Sequence, residues 1–393
     1  MTNLNPFRAA ALAALLPALL ANAADQLTVK AVNSLPFSRA SQTIELSGAQ
    51  LAPLGENDLQ KIHVKDSAGK ELLCQAVDTN FDAYHKPDIV IFQADFAPGE
   101  TKTFTVTTGQ KQAYSKADFK AYGRFVRERF DDYAWENDLI AHRTYGQALE
   151  TWAGEPLCSS TIDIWSKCTS RLVINEWYLA NNYHADEGDG ADFYSAGPSR
   201  GDGGNGLWAA DRLWTSRNFI NSRVLANGPI RVLFELEYAP FEVNGISISE
   251  VKRVSLDAGQ QLDHYQSTYK TFSRPDRPPV MLTAATGLKK AEGEQMTLNA
   301  TNGWFVKWEN IEKKAGQQGL GIIFDPALFL KQADDKLNQL IITKVSDGNV
   351  SSYWAGFCWD KAGQFTDFPA WKKYVDEFAQ GLASPIEVKI SAK

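Results

Sequence analysis

The chain has 393 residues, with 40 basic against 47 acidic side chains and a formal net charge of −7. That balance, with no basic tract, excludes an electrostatic nucleic-acid binder, and the absence of a long apolar run in the body of the chain excludes a membrane span there. Four cysteines without a CxxC pair argue against a cysteine-ligated zinc.

Residues 1–23 read as a secretory signal peptide. Arg8 precedes an apolar run from Ala9 to Leu20, and Ala21-Asn22-Ala23 is a small-x-small cleavage pattern. The run is shorter than the ~20 apolar residues a span needs. The mature protein is expected to be exported, periplasmic or secreted, in a compartment that permits disulfides. Cys158 and Cys168 lie closest in sequence and are the expected bridge, with Cys74 and Cys358 as core thiols. Roughly 370 residues remain, more than a typical single core holds, so more than one structural unit is expected.

Residues 25–109 alternate with period two in LTVKAVNS, QTIELSG, KIHVKDSAGKELL, IVIFQADF and TKTFTVTT. Turn residues separate these runs, notably in SAGK and APGE, which predicts a small antiparallel β-sandwich. A polar, lysine-containing stretch, 109–124, marks the boundary to a second unit over 120–393. There FVRERFDDYAW, RVLFELEYAPFEV, ISISEVKRVSLD, LDHYQSTYKTF, GWFVKWENI and QLIITKV favour strands. Helix is expected over DFPAWKKYVDEFAQGLAS, with Trp371, Val375 and Phe378 on one face and Gly381 as a stop, and for a turn or two in DPALFLKQADDKLN. PIEVKIS returns to a strand. The fold class is all-β.

Three segments carry candidate chemistry. In Arg129–Glu150, read as one extended strand, Glu136, Asp138, Ile140 and His142 share a face, while Asn137, Arg143 and Tyr145 project together from the other towards a sugar carboxylate. A charged, solvent-facing strand is the plainer alternative. Tyr183–Trp208 is too rich in glycine for a regular element and too aromatic for disorder, and is expected to be an ordered site loop. Its His184 with Asp186, Glu187, Asp189 and Asp192 is a candidate set for a hard cation, calcium, because oxygen ligands in a loop suit that ion, although EF-hand spacing is missing and a merely acidic or substrate-binding loop explains the same residues. No organic cofactor is implied. In LDHYQSTYK, Asp263, Tyr265, Ser267 and Tyr269 fall on one side of a strand and His264 on the other, where it serves either as structure or as an acid/base. Neither GxSxG nor HExxH occurs.

WENDLIAHRTYGQALE, DIWSK, NEWY, YHADEGDGADFY, GPSRGDGGNGLW and RVLANGPIRVLFELEYAPF occur in that order, together with PDIVIFQADFAPGETKTF. In these motifs the chain resembles the domain-of-unknown-function family 4861 over nearly all its mature length. The resemblance implies a large galactose-mutarotase-like β-supersandwich after the small N-terminal sandwich, a fold shared with sugar epimerases and polysaccharide lyases, and a setting of pectin-like glycan breakdown. It assigns no catalytic residue.

Residues and implied fold together lead to an oligo- or polysaccharide partner containing uronic acid. Arg143 or Arg200 with Asn137 is expected to neutralise the uronate carboxylate, and Tyr183 or His184 to take the proton beside it, as in a lyase. His142 and His264 are alternative acid/base groups, and Tyr145, Asp189 and Trp208 complete the substrate contacts. An epimerase, a glycoside hydrolase and a non-catalytic glycan-binding protein are the rival readings.

Overall fold

The computed structural model describes residues 24–80, 85–154, 156–272 and 281–392; the expected signal peptide lies outside them. The chain adopts the all-β sandwich architecture expected of it, with strand pairing antiparallel throughout the named sheets.

The N-terminal sandwich faces a five-stranded sheet with a three-stranded one, Arg39–Ser47, Ile89–Phe96 and Cys74–Val77. Alternate side chains meet between the sheets, among them Val29, Leu46, Phe92, Phe104 and Val106. The outermost strand of the larger sheet is Glu387–Ala392, which pairs along the whole of Leu27–Val32. The last strand of the chain therefore completes the first unit.

The large body is built on an eight-stranded sheet in the spatial order Phe219–Ala226, Arg231–Val243, Ile246–Asp257, Leu262–Thr271, Val350–Trp359, Gln317–Phe324, Trp304–Asn310 and Gln295–Asn299. Two five-stranded sheets cover its inner face. One contains Ala121–Val126, Asp132–Asn137, Ala141–Tyr145 and Asp163–Lys167; the other is centred on Asp202–Ala209, Thr283–Lys289 and Asn338–Lys344. Trp135, Ile164, Phe234, Tyr265, Leu320 and Phe357 lie in the shared core. The helix Phe368–Ala383 covers part of the outer face. It starts on Asp367, whose carboxylate accepts from the Ala370 amide, and it buries Trp371 and Val375 as the periodicity predicts. It runs two residues past the expected stop at Gly381, which packs against the Arg39 side chain.

Four expectations need correction. DPALFLKQADDKLN holds one short 3-10 turn, Pro326–Leu328, before an edge strand, Phe329–Asp334, takes over. The expected Cys158–Cys168 bridge is absent and both thiols are free. The Cys158 thiol lies against Glu150 and the Cys168 thiol against the Gly188 carbonyl, with the strand Asp163–Lys167 running between them. Cys74 and Cys358 are buried, as expected.

The third correction is to the glycine-rich run. Asp202–Ala209 is a strand of the inner layer and not a loop open to ligand. A Cβ on Gly201 (φ +59°) would overlap the Ile162 carbonyl, and one on Gly203 (φ +84°) would overlap Ala355 of the facing sheet. Close approach of neighbouring protein, the Ile162 backbone at Gly201 and the Ala355 methyl at Gly203, requires these glycines. The fourth is that Arg129–Glu150 is not one strand. It folds as a hairpin, Asp132–Asn137 against Ala141–Tyr145, with a 3-10 turn Arg127–Arg129 before it.

Candidate functional site

The hairpin turn reassigns the faces of the Arg129–Glu150 segment. Asn137 closes it: its side-chain oxygen accepts from the amides of Leu139 (2.8 Å) and Ile140 (2.9 Å), and its nitrogen donates to the carbonyls of Asp257 and Gln260. Asn137 is thereby committed to the turn and does not project with Arg143 and Tyr145. Cross-strand pairing sets Glu136 opposite Ala141 and Asp132 opposite Tyr145, so Asp132, Glu136, Arg143 and Tyr145 share the outer face. His142 turns inward with Trp135. Glu136 accepts from the amides of Val173 and Ile174 at the start of the helix Ile174–Ala180 and pairs with Lys167 at 2.9 Å.

On the outer face Arg143 gathers three carboxylates, Asp192 at 2.8 Å, Asp163 at 2.9 Å and Asp132 at 3.5 Å. Tyr145 donates to Asp163 (2.7 Å) and Tyr178 to Asp132 (3.0 Å). The rings of Tyr145, Trp165 and Tyr183 stand 5.3–5.7 Å from the guanidinium. The acidic segment then adds its own two residues. Tyr183 stacks on Trp165 and its oxygen accepts from Arg129 Nε at 2.6 Å. His184 sets Nδ1 3.3 Å from the Asp192 main-chain carbonyl and 3.4 Å from its Oδ2, with the imidazole 61% exposed and the carboxylate 1% exposed. Thus Arg143 and Tyr145, about 125 Å or more from Tyr183 and His184 in a fully extended chain at ~3.3 Å per residue, converge with them on one network.

Burial works against the Arg143 charge, yet Tyr145, Asp192, Asp163 and Asp132 together hold it cationic well above the ordinary value. Burial pushes Asp132 up to about 7 in spite of Arg143 and Arg129. It pushes Asp192 well above the carboxylate range as well, reinforced by Asp163 and opposed by Arg143. Several carboxylates crowd one guanidinium in low dielectric, which disfavours the charged forms of Asp132 and Asp192. The arrangement is a surface imidazole whose Nδ1 side rests on Asp192, a buried residue held by Arg143. It can orient the ring and exchange a proton with a bound ligand.

Beside this network lies an aromatic pair outside the candidate residues read from the sequence. Phe130, 44% exposed, stacks on Trp152 at 4.7 Å with an interplanar angle of 18°. The Arg129 guanidinium lies 4.9 Å over Trp152. Burial opposes its charge, but Asp132 and Tyr183 raise its basicity, so it stays cationic. Phe130 and Asp131 both adopt positive φ, 50° and 68°, and the missing Cβ of Gly146 lets the Asp131 carbonyl approach. Only the adjacency of arginine and phenylalanine in RFDDYAW hints at this corner.

The other candidates stand elsewhere. His142 is sealed between the sheets, its Nε2 3.0 Å from Asp263 and its Nδ1 3.1 Å from the Asp163 carbonyl. His264 is on the outer face of the eight-stranded sheet, stacked on Trp354 at 4.2 Å. Arg200 is an internal strut bonded to Ser159, Ser160 and the Asn205 carbonyl, and burial lowers it to about 10. Trp208 belongs to the second inner sheet, under Lys331. Asp186 accepts from the amides of Gly188 and Gly190, Asp189 pairs with Arg171, and Asp192 with Arg143. These three acids of the calcium set thus face three different partners. Among the described residues no three His, Cys, Asp or Glu side chains stand together as metal ligands, and no helix is long and apolar enough to cross a membrane.

The comparisons with known proteins accord with the sequence motifs. The model of the family described as Domain of unknown function (DUF4861) matches residues 32–388. A protein of Formosa agariphila named "Uncharacterized protein P7" is 32% identical over 379 residues, covering 93% of both chains. Among solved structures, a protein in glycosyl hydrolase family 38 from Enterococcus faecalis aligns over 95% of this chain with a TM-score of 0.47 and 9% identity. This chain spans 48% of that one, and so distant a likeness says nothing about function. The chain belongs to the DUF4861 family.

Proposed function

We propose that the protein is an exported carbohydrate-active enzyme of uronic-acid-containing, pectin-like glycan breakdown, acting as a lyase with His184 as the base. The observation that carries this reading is the exposed His184 imidazole seated on buried Asp192, which is itself held by Arg143. A sugar ring stacks on the face of an aromatic pair such as Phe130 and Trp152, and a cation beside that pair favours a carboxylate on the sugar. Asn137, Arg143 and Arg200 are spent on internal contacts, and the neutralising role is assigned to Arg129 because its guanidinium lies over Trp152 beside the exposed Phe130. In the reaction His184 takes the proton beside the carboxylate, a carbon–carbon double bond forms, and the glycosidic carbon–oxygen bond breaks. The departing oxygen takes a proton from Tyr183 or from water.

The test is to incubate mature protein with pectic and other uronic-acid oligosaccharides and follow both ultraviolet absorbance and fragment masses. A new chromophore with no gain of water supports the lyase. Fragments heavier by one water indicate a hydrolase and overturn it. The exposed Phe130–Trp152 pair also suits a non-catalytic glycan-binding protein, for which the glycan is bound and recovered unchanged.

A further inference from the structure

We propose that the cleft between the N-terminal sandwich and the outer face of the eight-stranded sheet is a second ligand site, and that it takes a neutral oligosaccharide. The cleft has a volume of ≈ 660 Å³, inside the ~300–1,000 Å³ range of small-ligand sites, which favour the junctions between structural units. Three separate parts of the chain build it. Thr43 and Glu45 come from the N-terminal sandwich, Ser255, His264 and Trp354 from the sheet, and Tyr374 and Phe378 from the long helix.

The charges around the cleft balance in sum, Arg39, Arg231 and Lys373 against Glu45, Asp257 and Glu377, and each is held by a protein partner. Arg231 grips Asp257 through two bonds of 2.6 and 2.8 Å and also pairs with Glu45. Arg39 donates to the carbonyls of Gly381 and Ser384 at the end of the helix. Glu377 faces Lys373 at 3.7 Å. An ionic ligand entering here would have to compete with Glu45 and Asp257 for Arg231, or with the helix-end carbonyls for Arg39, and either exchange costs desolvation.

What the walls offer instead is hydroxyl-type recognition. Burial, with Arg231 nearby, lowers His264 to about 4 against the pull of Asp257, so its ring is neutral at pH 7. One ring nitrogen, Nε2, meets Ser352 Oγ at 2.8 Å, and Nδ1 has no protein hydrogen bond among the described residues. The ring lies flat against half-buried Trp354, with an interplanar angle of 12°. A neutral imidazole, the Ser255 hydroxyl and aromatic surface from Trp354, Tyr374 and Phe378 match the hydroxyls and apolar faces of an uncharged sugar. This site is distinct from the His184 network, and a neutral glycan has no uronate proton to lose, so its binding is read independently of turnover.

The experiment is calorimetric titration of mature protein at pH 7 with uncharged β-linked tetrasaccharides of glucose, galactose and xylose, with tryptophan fluorescence alongside. At least one should bind and perturb the emission. Ser255→Trp, which fills the cleft, and His264→Ala, which removes the polar wall, should each weaken binding by about tenfold or more, with melting temperature and circular dichroism confirming a native fold. Should Ser255→Trp fail to fold, Ser352→Ala leaves the backbone undisturbed and should weaken binding through loss of the His264 contact. Absence of binding by all three tetrasaccharides at millimolar concentration overturns the proposal, as do affinities in folded variants within twofold of the unmodified protein. Oligouronate binding that Ser255→Trp abolishes, with neutral sugars ignored, overturns the ligand class.

Discussion

Two histidine–aspartate pairs in this molecule share their chemistry and differ in surroundings. His142 and Asp263 meet at 3.0 Å with neither side chain exposed, and Trp135 donates its indole N–H to the same carboxylate at 2.7 Å. The rings of Trp135 and Phe357 close over the imidazole at 5.3 and 5.1 Å. His184 and Asp192 meet at 3.4 Å, but there the carboxylate is buried while the imidazole stands in solvent. The inner pair holds two sheets together and has no route for a ligand. The outer pair keeps the buried carboxylate that orients a ring and leaves the ring within reach of substrate. Access, rather than pairing, separates a structural dyad from a candidate catalytic one.

The largest expected effect bears on the outer pair. His184→Ala should lower oligouronate turnover by about 10²–10⁴-fold with little change in melting temperature, since an exposed ring contributes little to packing. Unchanged turnover in folded variant protein would remove His184 from the reaction.

Beneath it, Arg143→Met leaves Asp132, Asp163 and Asp192 crowded without their common cation. Urea unfolding at pH 7 should show a loss of about 3–5 kcal/mol, shrinking as the pH falls and the carboxylates take up protons. A loss below ~1 kcal/mol would mean that the network contributes little to stability.

The inner region makes its own prediction through Asp202, whose two carboxylate oxygens have no hydrogen-bond partner. Burial, with Asp263 and Glu309, raises it to about 7 against His142 and Lys307. Its folded value lies above its unfolded one, so folding takes up a proton. The stabilisation is whole below about pH 4 and is lost as the pH rises through about 7. Asp202→Asn, a neutral isostere, should flatten the pH dependence of unfolding between these limits and gain on the order of a few kcal/mol over the unmodified protein at pH 8. Parallel curves for the two proteins would contradict this account.

A smaller loss is expected from Asp263→Asn. The His142 proton and the Trp135 indole N–H then compete for one amide oxygen, which should cost about 1–3 kcal/mol in urea unfolding while leaving oligouronate turnover intact. A turnover loss as large as that of His184→Ala would erase the distinction between the pairs. The smallest effect concerns the thiols. Cys158 and Cys168 should both react with a maleimide in native protein, and a reductant should leave the melting temperature unchanged.

Much of the fold was legible because strand alternation is a local property. LDHYQSTYK shows it plainly: Asp263, Tyr265, Ser267 and Tyr269 are buried, while His264 and Gln266 are half-buried and Thr268 and Lys270 exposed on the other face. Reading failed where one turn resets the pattern. A three-residue connection after Asn137 puts Glu136 beside Arg143 and His142 beside Trp135, the reverse of what an unbroken strand gives. It failed again in GDGGNG, where glycine density looked like a loop and instead reflects a strand pressed against its neighbours.

The sequence by itself determined the all-β class, most strand positions, the long C-terminal helix and the family, because periodicity and motif order are carried by neighbouring residues. It also singled out Tyr183, His184, Arg143 and Tyr145, though not what each of them touches. Only the tertiary structure decided which histidine reaches solvent, that Asn137 and Arg200 are internal, that Phe130 stacks on Trp152, and that the final strand completes the first sandwich. Those outcomes depend on partners distant in the chain, and the free energy of a buried charge is set by what surrounds it in space.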